Sequence, residues 1–542
     1  MTTKEQNYDA IVIGAGVGGI YQIKKLTDNG FKSVLLEANK DLGGTWYKNR
    51  YPGCRFDSES YTYGYSFSRE LIDEWDWQEH FSAQPDNLKY LNFVTDKFNL
   101  RQYMRFNSAV KALTWNETKR QWDLVTQDGT TMSARFVVTC VGVLSVPFQP
   151  PIDGKTNFTG QAFHSFDWPE EGIDLSDKRV GIIGTGATGI QIIAEIADKV
   201  AELTVFQRHP NWSVPLNNSR FTESQMDDIR KRYDEILENC EQSQGGFVHL
   251  PDRRGYHSVS ESERKALWDE LYERHGFALL LANFPETFIE EEPNKALSDY
   301  VAGRIRQRVD DPKVAEKLIP KDHGFGMKRL PLETRYFEAF NRDNVRLIDI
   351  SEEPIKTMLP EGIQTTEELY ELDVIIYATG FHAITGGLNK IDIQGTEGLL
   401  SKKWQTQTST YLGLLSAGFP NLFMVAGPQS VSGSTNYPRS IETGVDWLTD
   451  LLLHTRDSGI TRLEVTQEAE DWWFDTVEKA QQRMPFSNVK SWFTGYAPNI
   501  NGADKPSNQQ VRYNAYWGGA PRYRGFLDRV KAEGYSTLKM DK

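Results

Sequence analysis

Cysteine is scarce in this chain: Cys54, Cys140 and Cys240 are the only three in 542 residues. An odd, sparse set without a Cys-x-x-Cys pair provides neither a disulfide framework nor a redox dithiol. Positive charge is also in short supply. Sixty-one lysines and arginines face 75 acids, for a formal net charge of −14, which argues against nucleic acid or an anionic membrane surface as a partner. No apolar run approaches the ~20 residues needed to cross a bilayer. Met1-Thr2-Thr3-Lys4-Glu5 leads straight into a strand-like run, so no signal peptide is expected and the expected compartment is the cytosol. The sequons at Asn116, Asn157, Asn211 and Asn217 are read accordingly as chance matches. The nine histidines are scattered without His-Glu-x-x-His or another ligand spacing, so no metal is expected.

Present instead is the composition of a soluble globular protein, 39% hydrophobic and 25% charged, in a chain long enough for two or three domains. Two glycine-rich loops stand out. Gly14-Ala15-Gly16-Val17-Gly18-Gly19 follows the apolar run Ile11-Val12-Ile13 and leads, through a stripe of Ile20, Ile23 and Leu26, to Val34-Leu35-Leu36-Glu37. Gly184-Thr185-Gly186-Ala187-Thr188-Gly189 follows Val180-Gly181-Ile182-Ile183 and leads, through Ile190, Ile193 and Ile196, to Leu203-Thr204-Val205-Phe206-Gln207-Arg208. Each reads as strand, turn, helix and strand with a charged residue at the end. An acid in that place accepts hydrogen bonds from a bare ribose diol, whereas an arginine neutralises a ribose 2′-phosphate. The first site therefore suits FAD and the second NADPH, and a chain with both can pass a hydride from nicotinamide to flavin. Many enzymes with two such sites are disulfide reductases, which the cysteine count disfavours.

The fold class expected is α/β, with two Rossmann-like dinucleotide-binding domains and a helical insertion. Phe136 to Gly142 and Asp373 to Gly380 read as strands ending in glycine turns, where such flavoproteins carry the chain between domains; buried parallel strands explain them equally. The FAD domain is expected to comprise residues 1–145 and 381–542, and the NADPH domain 146–213 and 328–380. Residues 214–327 form the insertion. There Thr222-x-x-Gln225 predicts a capping box before a face of Met226, Ile229, Tyr233, Ile236 and Leu237. Ser260-x-x-Glu263 predicts another, with Leu267 and Leu271 inward and Gly276 as the stop. The charges of this region read as a solvated face.

Between the loops lies Phe158-Thr159-Gly160-Gln161-Ala162-Phe163-His164-Ser165-Phe166-Asp167-Trp168-Pro169. Here the chain resembles the Baeyer–Villiger monooxygenases, whose fingerprint is F-x-G-x-x-x-H-x-x-x-W followed by Pro or Asp. The resemblance runs nearly end to end and is strongest to the cyclohexanone and phenylacetone types. It implies an NADPH- and O2-dependent enzyme that converts a ketone to an ester or lactone through a flavin C4a-peroxide. It also implies roles. Gly43-Gly44-Thr45-Trp46-Tyr47 and Asn49-Arg50-Tyr51-Pro52-Gly53 resemble the flavin-proximal loop, with Lys48 where the family often has a second tryptophan. Asp57 matches the active-site aspartate and Tyr63 a flavin contact. In Lys328-Arg329 the lysine touches the NADP phosphate and the arginine is catalytic. Trp492 falls in a segment that reaches the nicotinamide side, although Tyr496 to Lys505 departs from the family's G-A-N-x-P-G-K. The loop Gly427 to Tyr437 resembles the substrate loop, with Tyr437 near the flavin; its small residues leave room for a ketone or simply make a mobile turn.

A guanidinium suits this chemistry because it stabilises a peroxide anion without protonating it. Asp57 is then the counter-ion expected to hold and aim Arg329. Spacing alone leaves a surface salt bridge and a turn cap equally open, and His164 alone reads as a satisfied histidine coupling two domains. The rival functions are a flavin-containing oxygenase of nitrogen or sulfur, sharing both nucleotide sites, and a non-catalytic NADPH-sensing flavoprotein. The sequence leaves the preferred ketone and the oligomeric state open.

Overall fold

The computed structural model describes residues 6–405, 407–494 and 515–542. Its architecture is α/β with two Rossmann-like sheets. In the first, strand Gln6–Ile13 lies between Ser33–Leu36 and Thr131–Thr139 and runs parallel to both. Its inner half, Ala10-Ile11-Val12-Ile13, is buried throughout, as a strand covered on both faces requires. Helix Val17–Asp28 crosses back over the sheet on Ile20, Ile23 and Leu26, all fully buried. Two strands join the same sheet from much later in the chain: Asp392–Gln394 beside Val110–Asn116, and Leu422–Met424 beside Thr131–Thr139.

The second sheet is parallel throughout, in the order Val345–Asp349, Glu202–Gln207, Arg179–Ile183, Val374–Tyr377 and Gln161–His164. Helix Ala187–Ile196 links its two central nucleotide-loop strands and buries Ile190, Ile193 and Ile196. The chain's two crossings between the sheets run side by side. Phe148 N–H donates to the Gly380 carbonyl at 2.8 Å and His382 N–H to the Val146 carbonyl at 2.8 Å.

Helices from Glu223–Lys231 to Pro312–Leu318 fill the insertion, which leaves and re-enters through the parallel pair Val214–Pro215 and Leu332–Glu333. Both expected capping boxes form, at Thr222/Gln225 and at Ser260/Glu263. The helix expected across residues 222–237 is instead two, Glu223–Lys231 and Tyr233–Gln242, divided at Arg232. Met226, Ile229, Tyr233 and Cys240 still share one buried stripe, while Ile236 and Leu237 are only half-buried. Periodicity reports which side faces inward, not whether every helical hydrogen bond continues. Helix Glu261–Glu273 also ends before Gly276. That glycine, at φ +66°, passes so close to Phe81 and Glu59 that a Cβ would stand 2.9 and 3.0 Å from their atoms. Among the described residues no helix is long and apolar enough to cross a membrane, and none group in a way that could hold a metal ion.

Candidate active site

The two glycine loops repeat one geometry. Gly14, at φ +104°, packs so that a Cβ would lie 2.5 Å from the Cys140 carbonyl oxygen; Gly184, at φ +110°, has the same relation to Ala378 at 2.4 Å. A Cβ on Gly19 would fall 1.8 Å from the Gly14 oxygen, and one on Gly189 2.2 Å from the Gly184 oxygen. Each outer pair therefore has to be glycine for helix and strand to meet. The middle residues differ: Gly186 has open space where its Cβ would be, and Gly16 meets only the Gly44 Cα, at 3.6 Å. Gly16 and Gly186 cap helices whose first turns carry no acid and receive no side-chain cap, leaving bare N–H groups of the kind that hold a pyrophosphate. Ala187 and Thr188 open the second of these helices on its accessible side, with Thr185 buried beside them.

Glu37 ends the second strand almost fully buried. Its carboxylate accepts from Ala15 N–H at 2.7 Å and from Asn39 N–H at 2.8 Å, which fixes it beside the first loop with acceptor capacity to spare for a ribose diol. Arg208, at the matching place in the second sheet, is exposed and makes no hydrogen bond or ion pair among the described residues. Lys328 approaches the same edge, its Nζ 3.0 Å from Asp322 Oδ2. His209 lies among these charges: burial, then Arg208 and Lys328, hold its imidazole below the ordinary range, against an upward pull from Asp322.

Arg329 and Asp57, 272 residues apart in sequence, meet: Nη2 lies 2.5 Å from Oδ2. The position of Arg329 is dictated by the return from the insertion, where Asn211 Nδ2 donates to the Arg329 carbonyl at 3.0 Å and Ser213 Oγ to the Pro331 carbonyl at 2.9 Å. Nη1 also donates to the Leu330 carbonyl. The guanidinium stands 5.3 Å from the centre of the Phe277 ring, and Phe277 packs on Phe247. On the Asp57 side, Trp46 Nε1 donates to the Tyr63 hydroxyl at 2.5 Å and Phe56 packs edge-on against Tyr63 at 4.2 Å. Thr45, at the start of the short helix Thr45–Lys48, is exposed. Burial pushes the Tyr63 and Tyr437 phenols well up, and the Tyr437 hydroxyl is buried without a hydrogen-bond partner among the described residues. An orphaned buried hydroxyl costs about 1–3 kcal/mol, so one beside an open nucleotide loop fits a site that a polar ring completes. The residues present fit both nucleotides.

In the expected fingerprint, His164 ends strand Gln161–His164 at 1% exposure. Its Nδ1 accepts from Phe166 N–H at 3.1 Å, and its Nε2 lies 3.0 Å from the Gly380 carbonyl that also receives Phe148 N–H. Both ring nitrogens are thus used by backbone in a neutral tautomer, and burial holds the imidazole below its usual range. Trp168 is buried edge-on against Phe163.

Residues 8–240 match the flavin-binding monooxygenase-like family model. The chain is 43% identical over 545 residues to 2-oxo-Δ3-4,5,5-trimethylcyclopentenylacetyl-CoA monooxygenase of Pseudomonas putida, covering 99% of each. It is 37% identical to a Baeyer–Villiger monooxygenase of Pseudooceanicola batsensis, over 99% of this chain and 97% of that one. The chain belongs to the Baeyer–Villiger monooxygenase family. The crystal structure of OTEMO in complex with FAD and NADP superposes with a TM-score of 0.94 at 43% identity, over 99% of this chain and 100% of that one.

Three sets of contacts in this family member were not legible in its sequence. Tyr51, from Arg50-Tyr51-Pro52-Gly53, is buried with its hydroxyl 3.0 Å from Gln191 Oε1 on the helix after the second glycine loop. Gly53, at φ +79°, permits that approach, since a Cβ there would lie 2.8 Å from the Gln191 carbonyl. The motif therefore ties the first nucleotide region to the second. Lys48, the departure from the family's tryptophan, reaches Asp167 of the fingerprint at 3.3 Å and lies over Phe166. Asp322 and His209 beside Lys328 and Arg208 carry no periodicity or motif that would have marked them.

Of the remaining expectations, the loop before Tyr437 is pinned and not a free turn. Asn436 N–H donates to the Gly245 carbonyl at 2.7 Å, its Nδ2 donates to Thr62 Oγ1 at 3.1 Å, and Gln429 is fully buried at the loop's base. Trp492 opens the short turn Trp492–Thr494; the divergent segment 496–505 lies outside the described residues. Cys54 is a buried packing residue, its thiol pushed up to about 12 by burial.

Proposed function

We propose that the chain is an FAD-containing, NADPH- and O2-dependent Baeyer–Villiger monooxygenase that inserts one oxygen atom beside a ketone carbonyl, giving an ester or a lactone. The observation that carries this reading is the Arg329–Asp57 ion pair, whose acid lies four residues beyond Gly53, the glycine that meets Gln191 on the helix after the second glycine loop. When bound, the flavin supplies the redox chemistry, accepting hydride from NADPH and activating dioxygen.

The protein's own residues bind, aim and shield. Gly14, Gly16 and Gly19 bring bare helix N–H groups to the FAD pyrophosphate, and Glu37 accepts from its ribose. Thr45, Trp46, Tyr63 and Tyr437 orient the ring system. The loop from Gly184 to Gly189 holds the NADP pyrophosphate, with Arg208 and Lys328 on the 2′-phosphate and Trp492 toward the nicotinamide. Arg329 donates to the negative charge that develops beside the carbonyl without giving up a proton, and Asp57 keeps the guanidinium aimed. Phe277, backed by Phe247, gives the guanidinium an apolar wall on one side.

The test is product analysis. Purified enzyme with NADPH and O2 is given linear, cyclic and aromatic ketones and a thioether, scored by product and not by NADPH loss. Esters or lactones are expected. Sulfoxide without ester would transfer the chain to the heteroatom-oxidising class. Arg329→Ala should still reduce its flavin yet form no ester, and normal turnover in that variant refutes the role given to Arg329.

A further inference from the structure

Among the cations at the second nucleotide edge stands one acid whose position the proposed function leaves unexplained. Asp322 Oδ2 lies 3.0 Å from Lys328 Nζ, and Oδ1 lies 2.6 Å from His323 Nδ1. His323 supports it from inside: its side chain is completely buried, and its Nε2 has no hydrogen-bond partner among the described residues. Its backbone carbonyl is held in turn by Trp212 Nε1 at 2.9 Å. The imidazole therefore fixes one carboxylate oxygen and leaves the other on the lysine. Asp322 is itself 55% exposed, so the packing of its own side chain does not demand an acid there; its structural duty is to pair with the His323 ring.

A carboxylate beside a lysine meant for a phosphate dianion works against binding, because the arriving anion must displace it and then tolerate it. A ribose hydroxyl carries no charge with which to displace it. We propose that Asp322 is a displaceable counter-ion that occupies Lys328 in the coenzyme-free protein and thereby sets how tightly the ribose 2′-phosphate is held. This rests on the reading of Lys328 and Arg208 as phosphate ligands. Asp322 acts through the lysine and is a positioning residue, not a catalytic one. An ion pair this exposed is weak, so its removal changes affinity roughly two- to fivefold.

The experiment is calorimetric titration of FAD-loaded Asp322→Asn and Asp322→Ser with NADP+, NAD+ and 2′,5′-ADP. Both variants are expected to bind NADP+ and 2′,5′-ADP roughly two- to fivefold more tightly, with slower NADP+ release and unchanged NAD+ affinity. A purely structural role would not tighten binding, and would not separate the phosphorylated from the unphosphorylated nucleotide. Unchanged or weaker NADP+ binding in both variants overturns the proposal, as does equal tightening of NAD+. Lys328→Met separates this from the reading beneath it. If that variant loses the preference for NADP+ while the Asp322 variants show no gain, only the counter-ion fails. If it binds both coenzymes as the wild type does, the assignment of Lys328 itself fails.

Discussion

Replacing Asp57 with alanine should separate the two halves of the reaction. The pair it forms with Arg329 is short, 2.5 Å between Oδ2 and Nη2, and Asp57 keeps only 13% of its side chain exposed. Two unit charges about 4 Å apart attract by about 4 kcal/mol at an effective dielectric of ~20. The Arg329 side chain is 36% exposed, however, and water screens much of that. A net loss of about 1.5–2.5 kcal/mol lies between the values for exposed and for buried pairs. Without Asp57 the guanidinium keeps its bond to the Leu330 carbonyl and is free to swing about it. Ester formation should then fall roughly ten- to seventyfold, while anaerobic flavin reduction by NADPH, followed by stopped-flow absorbance, keeps its rate. Asp57→Asn, which retains shape and one acceptor, should fall between. Wild-type ester formation in the alanine variant, or an equal loss in both half-reactions, would refute the claim that Asp57 aims Arg329.

Arg208→Ala should weaken NADPH by about ten- to a hundredfold, as expected for a charge-assisted phosphate contact, and leave NADH nearly unchanged; titration with both coenzymes checks this. Gly19→Ala places a methyl 1.8 Å from the Gly14 oxygen and should yield protein largely free of FAD, read from the ratio of flavin to protein absorbance. Tyr51→Phe removes the hydroxyl bonded to Gln191 and should slow flavin reduction about three- to tenfold with full FAD content. Burial, aided by His275, lowers the His80 imidazole to about 4. The unfolded chain therefore takes up that proton first as pH falls, so stability present above pH ~6.5 declines progressively toward pH 4. Melting temperatures across that range should show the decline, and His80→Asn should flatten it.

How much of this was legible beforehand depends on what each residue answers to. The glycine loops were, because Gly14, Gly19, Gly184 and Gly189 are dictated by local backbone geometry that short spacing reports. Strand and helix faces such as Ile20, Ile23 and Leu26 were too, since burial on one side imposes a period. The pairing of Arg329 with Asp57 was not deducible from spacing and followed only from resemblance, because 272 intervening residues carry no local signal of the contact. The link from Tyr51 to Gln191 and the grouping of His209 and Asp322 with Arg208 and Lys328 were missed for the same reason: each is defined by residues distant in sequence. The break at Arg232 escaped because an apolar stripe continues through it.

The helical stretch that leaves and re-enters through the parallel pair Val214–Pro215 and Leu332–Glu333 places Phe277 beside Arg329, with Phe247 packed behind it. On the proposed reading, the wall that a substrate meets therefore belongs to a stretch packed against both coenzyme regions, through Gly276 against Phe81 and Glu59 and through Gln207 Nε2 donating to the Lys317 carbonyl. Its contours are open to redesign, by nature or in the laboratory, while both glycine loops stay as they are. On that reading, part of what chooses the molecule to be oxidised lies in a different stretch of polypeptide from the two coenzyme loops.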